Sequence, residues 1–242
     1  MARLDILLAR NLGWSRAAAR DAVADGRVQV AGTIARDPRQ EIATTDLPLA
    51  AAVDEEAISL FDSARVLLNK PIGCVTALRD PRHPTAYELL EGAPLHAELR
   101  PVGRLDRETS GLLLWTTDGA EIQRLTHPKR AVARTYHAAL ARAHRALPPD
   151  LVLDDGLRPR VADLSPLARG DAHPSLAIPA DAAVLASITI TGGAYHEVRR
   201  VFAALDSHVL ALCRVRFGDL TLPLDLTPGA FRVLSAEEHS RG

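Results

Sequence analysis

Apolar residues at the start of the chain follow a helical period twice and then a strand period. The leucines of residues 4–12 recur every three or four positions and predict a short amphipathic helix. Ser15 is a suitable N-cap for a second helix over residues 16–24, and Gly26 suits its C-terminal end. Residues 28–30 alternate as in a strand and lead into a turn. This order predicts a small unit with a thin core.

The remainder of the chain shows short apolar strands and few helices. Strands are predicted at residues 66–68, 112–115, 136–140, 184–191 and 220–224. Helical spacing recurs at residues 120–127 and 198–205. Because these strands do not alternate regularly with helices, the pattern predicts an α+β domain and not a doubly wound α/β domain.

An acidic stretch lies between these two parts. Residues 50–63 contain Asp54, Glu55 and Glu56 and show no clear period, so they are predicted to be a linker. We therefore expect one domain over residues 1–60 and a second, larger domain over residues 61–242.

Charge and composition restrict the function. The chain has 242 residues and a formal net charge of -1, so binding of a polyanion has to rest on local basic surface. Residues 1–40 contain seven arginines against four aspartates, and residues 100–145 contain nine basic residues against four acidic ones. Arg199 and Arg200 form a further basic pair. Such patches fit a phosphate backbone, although a solvated protein face has the same composition.

Cysteine usage and hydropathy exclude other classes. The chain has two cysteines, outside any Cys-x-x-Cys pair, which argues against a disulfide scaffold or a cysteine-rich zinc site. It has no run of 18 apolar residues, and its first five residues are already charged. We therefore expect no membrane association, no signal peptide and a cytoplasmic location.

The densest candidate for chemistry is residues 100–114, where a charged segment meets an apolar one. This places Asp106 at the rim of a buried strand, with Arg104 and Arg107 nearby to favour its carboxylate form. An aspartate in this setting can serve as a nucleophile or a base. A surface turn with a structural aspartate–arginine pair has the same signature, and the spacing alone does not separate the two.

Other catalytic arrangements find less support. Asp106 and Glu108 have the spacing of a glycosidase pair, but no aromatic sugar platform is near them. Ser110 lies outside a Gly-x-Ser-x-Gly elbow. The sequence has no Walker loop and no Gly-x-Gly-x-x-Gly motif. His127, His137 and His144 do not have the i, i+4 spacing of a metal-binding histidine set on a helix. We expect neither a cofactor nor a metal.

Residues 103–114, Gly-Arg-Leu-Asp-Arg-Glu-Thr-Ser-Gly-Leu-Leu-Leu, closely resemble the catalytic-aspartate motif of the ribosomal RNA pseudouridine synthases. Supporting motifs follow in that family's order: Leu68-Asn-Lys-Pro-Ile-Gly73, Asp118-Gly119, Leu125-Thr-His-Pro128, Arg134-Thr-Tyr136, Gly193-Ala-Tyr-His-Glu-Val-Arg-Arg200, Leu212-Cys-Arg214 and Phe217-Gly218. The N-terminal unit is similar to the alpha-L RNA-binding module of the ribosomal-protein-S-four type. The motifs that carry this second likeness are Leu4-Asp5, Ser15-Arg16 and Gly26-Arg-Val-Gln-Val30.

The resemblance implies roles for individual residues. Asp106 falls on the catalytic aspartate, Tyr136 on the tyrosine that stacks on the target base, and Arg214 on the basic residue that pairs with the aspartate. Arg104 falls on the arginine associated with holding the displaced strand. The resemblance also implies that the reaction needs no cofactor, metal or energy source. RNA contacts are expected from four further arginines: Arg16, Arg27, Arg199 and Arg200.

The chain departs from the family pattern at three positions. Glu197 replaces the usual glutamine after His196, which puts a negative charge beside the Arg199-Arg200 pair. Arg134 replaces a lysine and keeps the charge. Ala31 replaces the common asparagine before Gly32, which puts an RNA contact of that turn in question.

The resemblance implies an enzyme that isomerises one uridine of ribosomal RNA to pseudouridine. Residues 82–86 are more similar to the subgroup that modifies 16S rRNA, so that target is expected first and 23S rRNA second. A non-catalytic rRNA-binding assembly factor is the alternative from another class, and it would have no need of Asp106, Tyr136 and Arg214 together. The partner is expected to be rRNA, free or in an assembly intermediate, and the enzyme a monomer.

Overall fold

The computed structural model describes residues 1–235 of the chain. These residues divide into two compact units. The N-terminal unit comprises Met1–Ala64 with Gly92–Leu99, and the larger unit comprises Arg65–Glu91 and the described chain from Arg100 on. Across residues 1–235, none of the helices has the length and apolar composition that a membrane crossing requires.

Two short helices begin the N-terminal unit, as their leucine and alanine spacing predicts. They are α1 (Leu4–Leu12) and α2 (Arg16–Ala24). The Ser15 hydroxyl caps α2 by accepting a backbone hydrogen bond from its first turn at 3.1 Å. Gly26 follows the helix with φ at 74°, and this left-handed conformation lets the chain reverse into the next strand.

The strands of this unit are β1 (Ala2–Arg3), β2 (Val28–Val30), β3 (Thr33–Ile34), β4 (Glu41–Ile42), β5 (Leu49–Val53) and β6 (Glu56–Leu60). Four of them form an antiparallel sheet in the order β3-β2-β5-β6, and β1 pairs with β4. The apolar faces of α1 and α2 share a core with β2, β5 and β6.

The predicted linker over residues 50–63 is wrong, because β5 and β6 form a hairpin there. Asp54 and Glu55 make its two-residue turn, with φ at 49° and 69°, as this type of tight hairpin turn requires. The Asp54 carboxylate accepts a hydrogen bond from Arg27 Nε at 2.8 Å. The acidic residues therefore form a hairpin turn whose Asp54 pairs with Arg27, the residue before β2.

Asp5 ties the two helices together from the inside. Its side chain is fully buried and accepts hydrogen bonds from Arg3 at 3.1 and 2.9 Å and from Arg20 at 3.1 Å. Burial opposes ionisation, but the hydrogen bonds from Arg20 and Arg3 outweigh it and lower the pKa of Asp5 below its usual value. The unit therefore contains a buried carboxylate that is ionised at neutral pH.

We predict that Asp5→Asn destabilises the N-terminal unit by about 2 kcal/mol, because it removes the charge on which both arginines converge. Amide hydrogen exchange of α1 and α2 at pH 7 measures the loss. Since the folded pKa lies below the unfolded one, the gap between wild type and variant should close as the pH falls through the folded pKa. The matched control is Asp21→Asn on the exposed face of α2. Equal effects of the two substitutions would contradict the assignment.

The larger unit is built on one sheet. Its strands are β7 (Arg65–Lys70), β8 (Arg100–Pro101), β9 (Thr109–Thr116), β10 (Arg134–Leu140), β11 (Val161–Pro166), β12 (Val184–Ile190), β13 (Val209–Phe217), β14 (Leu220–Thr221) and β15 (Phe231–Val233). The order is β11-β12-β10-β13-β9-β7-β15, with β14 beside β13 and β8 beside β9. The β9–β13 pairing is parallel, and the other pairings between these described strands are antiparallel. The expected α+β class with a mixed, mostly antiparallel sheet is thus confirmed.

Two helices accompany the sheet at the predicted positions: α3 (Gly119–Thr126) and α4 (Glu197–Ala204). Short 3-10 turns occupy Thr44–Asp46, Glu88–Leu90, His96–Glu98, Pro128–Arg130 and Arg169–Asp171. The predicted strand at residues 220–224 shortens to the two residues of β14. The long strand β13 has no clear alternation, because six of its nine residues are buried, four of them in succession.

Candidate active site

Asp106 lies in the loop that enters β9, at the rim of a buried strand, as the sequence predicts. Its backbone carbonyl accepts a hydrogen bond from the N–H of Thr109 at 3.1 Å, which closes a tight turn before the strand. The Asp106 side chain is 37% exposed. Its carboxylate therefore faces a cavity while its backbone is fixed.

A buried lysine holds this turn from below. Lys70, at the end of β7, is fully buried, and its ammonium donates to three backbone carbonyls: Pro71 at 2.9 Å, Asp106 at 3.1 Å and Thr109 at 3.0 Å. Burial lowers the pKa of Lys70, while nearby acidic groups, including Asp106, oppose the shift. An ammonium satisfied by carbonyls alone adds a positive charge directly behind the Asp106 turn.

Two further anchors fix the loop on either side of Asp106. The Thr76 hydroxyl donates to the carbonyl of Leu105 at 2.9 Å, and the Leu105 N–H donates back to it at 3.1 Å. Arg199 of α4 donates to the carbonyl of Glu108 at 3.4 Å. The aspartate thus sits on a backbone with little freedom to move.

Strand register brings Tyr136 and Arg214 together. The two residues lie opposite each other on β10 and β13, so their side chains share one face of the sheet. Both are almost completely buried, and Arg214 Nε donates to the carbonyl of Leu112 at 2.8 Å. The Arg214 guanidinium lies 5.1 Å from the ring centre of Phe217, and one of its terminal nitrogens has no hydrogen-bond partner in the described chain.

Gly111 makes this arrangement possible. It lies beside Arg214 in the parallel β9–β13 pair and has φ at 102°. A Cβ at this position would lie 2.3 Å from the Arg214 carbonyl oxygen and 2.9 Å from the Cys213 sulfur. Because both neighbours belong to a buried strand, no side chain fits here.

His196 is a neighbour of Asp106 that the sequence did not suggest. Its Nε2 lies 3.5 Å from Asp106 Oδ1. The residue precedes α4 in a left-handed conformation with φ at 50°, and its ring stacks on Tyr195 at 3.9 Å. A non-glycine residue in this conformation is uncommon and clusters at functional sites.

These residues line one cavity of about 440 Å³, large enough for a nucleoside. Asp106, Tyr136, Arg214 and Arg104 all face it, so the structure brings together the four residues that the sequence placed at the site. The remaining described lining comprises Gly103, Leu105, Thr109, Thr126, Arg134, Ile190, Gly193, Ala194, Tyr195, His196, Glu197, Val198, Arg199 and Leu212.

The ion pairs around Asp106 differ from those expected. Within residues 1–235, Arg214 makes no ion pair with Asp106, and its Nε donates to the Leu112 carbonyl instead. Arg107 turns away and pairs with Glu108 at 2.8 Å. The Arg104 side chain, at the mouth of the cavity, is exposed.

The four arginines expected to contact RNA have different surroundings. Arg16 is exposed on α2, whereas Arg27 pairs with the hairpin turn of the N-terminal unit. Arg199 is tied to backbone carbonyls beside the cavity. The Arg200 guanidinium lies 2.6 Å from the Asp154 carboxylate and also pairs with Asp155.

The charge of Glu197 does not lie beside the Arg199-Arg200 pair. The side chain points inward, is 4% exposed, and accepts a hydrogen bond from the Ala194 N–H at 2.8 Å. It occupies the space over Gly192, where a Cβ would lie 2.2 Å from its carboxylate. Glu197 therefore closes the loop before α4 and helps set the backbone of His196.

Sequence comparison places this fold and pocket in a known class. Residues 65–204 match the model of the RNA pseudouridylate synthase family, and residues 2–47 match the S4 domain. The chain belongs to the RNA pseudouridylate synthase family and carries an N-terminal S4 domain.

Relatives and a solved structure agree with this. The chain is 36% identical over 245 residues to ribosomal small subunit pseudouridine synthase A of Pseudomonas aeruginosa, covering 98% of both chains. It is 34% identical over 242 residues to the protein of the same name from Escherichia coli (strain K12), covering 98% of this chain and 97% of the relative. A crystal structure of a pseudouridylate synthase matches with a TM-score of 0.60 and 28% identity, over 100% of this chain and 99% of the other.

We predict that Gly111→Ala lowers the free energy of unfolding of the larger unit by at least about 2 kcal/mol, because the methyl group meets backbone atoms of β13. Urea unfolding followed by tryptophan fluorescence measures the change. Gly119→Ala is the matched control, since Gly119 begins α3 and a Cβ there meets nothing within 4 Å. A Gly111→Ala protein as stable as the control would show that the close approach of the strands is not required.

Proposed function

We propose that this protein isomerises a specific uridine of small-subunit (16S) ribosomal RNA to pseudouridine, with Asp106 as the catalytic residue. The family assignment supports the reaction, and the names of the full-length relatives support the small-subunit target. One observation carries the assignment of the site: a carboxylate, a tyrosine face and a buried guanidinium line the same cavity.

The reaction suits this cavity because it requires no outside reactant. The bond between uracil N1 and ribose C1′ breaks, the base turns, and a bond forms between C5 and C1′. The proton on C5 leaves to solvent, and N1 gains a proton. Asp106 serves either as the nucleophile that holds the sugar or base during this exchange or as the base that moves a proton.

The walls of the cavity supply the remaining functions. A uridine has to leave its stack to enter, and the face of Tyr136 replaces the lost stacking, worth roughly 1–3 kcal/mol. The Arg214 guanidinium provides a buried positive charge with an unpartnered N–H, which can bind the carboxylate or an oxygen of the substrate. A bound nucleoside displaces water from the cavity, which strengthens the charge interaction of Arg214.

His196 orients the Asp106 carboxylate. A 3.5 Å separation is long for a hydrogen bond, but such contacts often shorten only when the substrate is bound. The imidazole stacks on the ring of Tyr195, and Glu197 holds the loop before α4 by accepting the Ala194 N–H. With a proton on Nε2, the imidazole donates to one oxygen of Asp106 and leaves the other for the substrate.

We predict that Asp106→Ala abolishes tritium release from 5-tritiated uridine in 16S rRNA, a loss of more than about 10³-fold, because the reacting carboxylate is removed. Binding of the RNA should stay within about twofold of wild type. Asp181→Ala, an exposed aspartate of the same unit, is the control. Full activity of Asp106→Ala would refute the catalytic assignment.

We predict that His196→Asn lowers kcat about tenfold, whereas His196→Gln retains most of the activity, because the glutamine amide can place an N–H where Nε2 lies. Single-turnover tritium release measures both. Asparagine fits the left-handed backbone better than glutamine, so a purely structural role would give the opposite order. Equal activities would exclude orientation through Nε2.

The target and setting are tested separately. Activity on 23S rRNA but not on 16S rRNA would favour the large-subunit alternative. If a deletion strain keeps every rRNA pseudouridine of the wild type, a non-catalytic assembly factor would be favoured. The monomeric state, the cytoplasmic location and the use of an assembly intermediate stay predictions.

A further inference from the structure

A second cavity, of about 330 Å³, adjoins the first. The two share Thr126, Arg134, Gly193, Ala194 and Glu197 as lining residues, so one opens beside the other on the same face of the larger unit. The segment before β11 forms one wall, and the end of α3 with the following 3-10 turn forms the other. A polymeric ligand with one unit in the first cavity would therefore have its next units beside this groove.

Two arginines on the first wall have no charged partner. Arg158 and Arg160 are exposed, and neither side chain makes an ion pair or hydrogen bond with residues 1–235. Their segment is held to the sheet, since the Thr191 N–H donates to the Arg160 carbonyl at 2.9 Å. Residues two apart in an extended segment point to the same side.

The acidic residues of the same segment have another partner. Asp154 and Asp155 both pair with Arg200. These two carboxylates therefore make no ion pair with Arg158 or Arg160, although one guanidinium balances only one of their two charges. The described lining of the groove has three arginines, Arg134, Arg158 and Arg160, against the single carboxyl group of Glu197, so positive charge is in excess there.

The opposite wall adds a further donor. His127 Nδ1 accepts the N–H of Lys129 at 3.2 Å, so the neutral ring carries its proton on Nε2. The described lining contains no phenylalanine, tyrosine or tryptophan, and so the groove has donors and charge but no platform for stacking a base.

We propose that this groove binds the phosphodiester backbone next to the flipped uridine, with Arg158 and Arg160 as the phosphate contacts. This inference rests on the proposed function. Free guanidinium groups suit a phosphate chain, and the position beside the first cavity suits the nucleotides that flank the target. Neither arginine was singled out by the sequence, which pointed to Arg16, Arg27, Arg199 and Arg200.

The test compares two double variants with the same loss of charge. Arg158→Gln/Arg160→Gln removes the charges of the groove and keeps most of each side chain. Arg79→Gln/Arg169→Gln removes two exposed charges that line no described cavity. Binding of a 16S rRNA transcript is measured between 50 and about 200 mM salt, together with KM and kcat for tritium release.

We expect the groove variant to bind about tenfold more weakly and its slope of log K against log salt to become shallower by about 1.4, or ~0.7 for each phosphate of a single strand. KM should rise about tenfold with kcat within about twofold, since neither side chain lines the first cavity. The control should match wild type in every measurement.

Two results would overturn the proposal. Equal changes in both variants would mean that overall charge acts and not the groove, and a fall in kcat with unchanged KM would mean that the arginines affect chemistry. Wild-type activity on the same transcript is measured in parallel. If wild type binds but forms no pseudouridine, the proposed function fails, while the salt slopes still decide whether RNA lies in the groove.

Discussion

The close approach of β9 and β13 at Gly111 determines the geometry of the site. At this point two buried strands run parallel with a backbone separation that admits no side chain on one of them. The contact fixes Arg214 beside β9, and the antiparallel register of β10 then places Tyr136 opposite Arg214. The turn that holds Asp106 leads directly into β9. Three side chains from distant parts of the chain are thus positioned by the pairings of β13 with β10 and β9.

Buried positive charge is the second constraint on the site. Lys70 and Arg214 are both buried. Lys70 donates to three backbone carbonyls and Arg214 donates to one, and neither makes an ion pair with a carboxylate within residues 1–235. Carbonyl oxygens solvate a cation without cancelling its charge, so the field of both groups reaches the cavity. Negative charge that develops on a uracil oxygen in the cavity gains from that field.

The sequence revealed the parts of this site that lie in contiguous motifs. The motif around Asp106, the strand that carries Tyr136 and the helix at residues 197–204 were all accessible from local patterns. The hairpin at residues 49–60 was not, because its acidic turn has the composition of a linker and its strands gain stability from pairing with β2. The His196 contact was also inaccessible, since it depends on a left-handed residue meeting a loop 90 positions away. The role of Lys70 could have been predicted. A lysine at the end of an apolar strand is expected to be buried, with its charge satisfied by nearby hydrogen-bond acceptors.

Counting arginines in the sequence does not show which guanidinium groups are free to bind a phosphate, and the reason is physical. A guanidinium paired with carboxylates has little free energy to gain from a phosphate, because binding must first break the existing pair. Arg27 and Arg200 are in this condition, although each lies in a basic stretch of sequence. Arg158 and Arg160 follow two acidic residues in the sequence, Asp154 and Asp155. Both of these carboxylates pair with Arg200. The exposed guanidinium groups of Arg158 and Arg160 in the groove therefore have no carboxylate partner within residues 1–235, whereas Arg200 on α4 is already paired. This difference is the reason why the groove and not Arg200 is proposed as the phosphate contact.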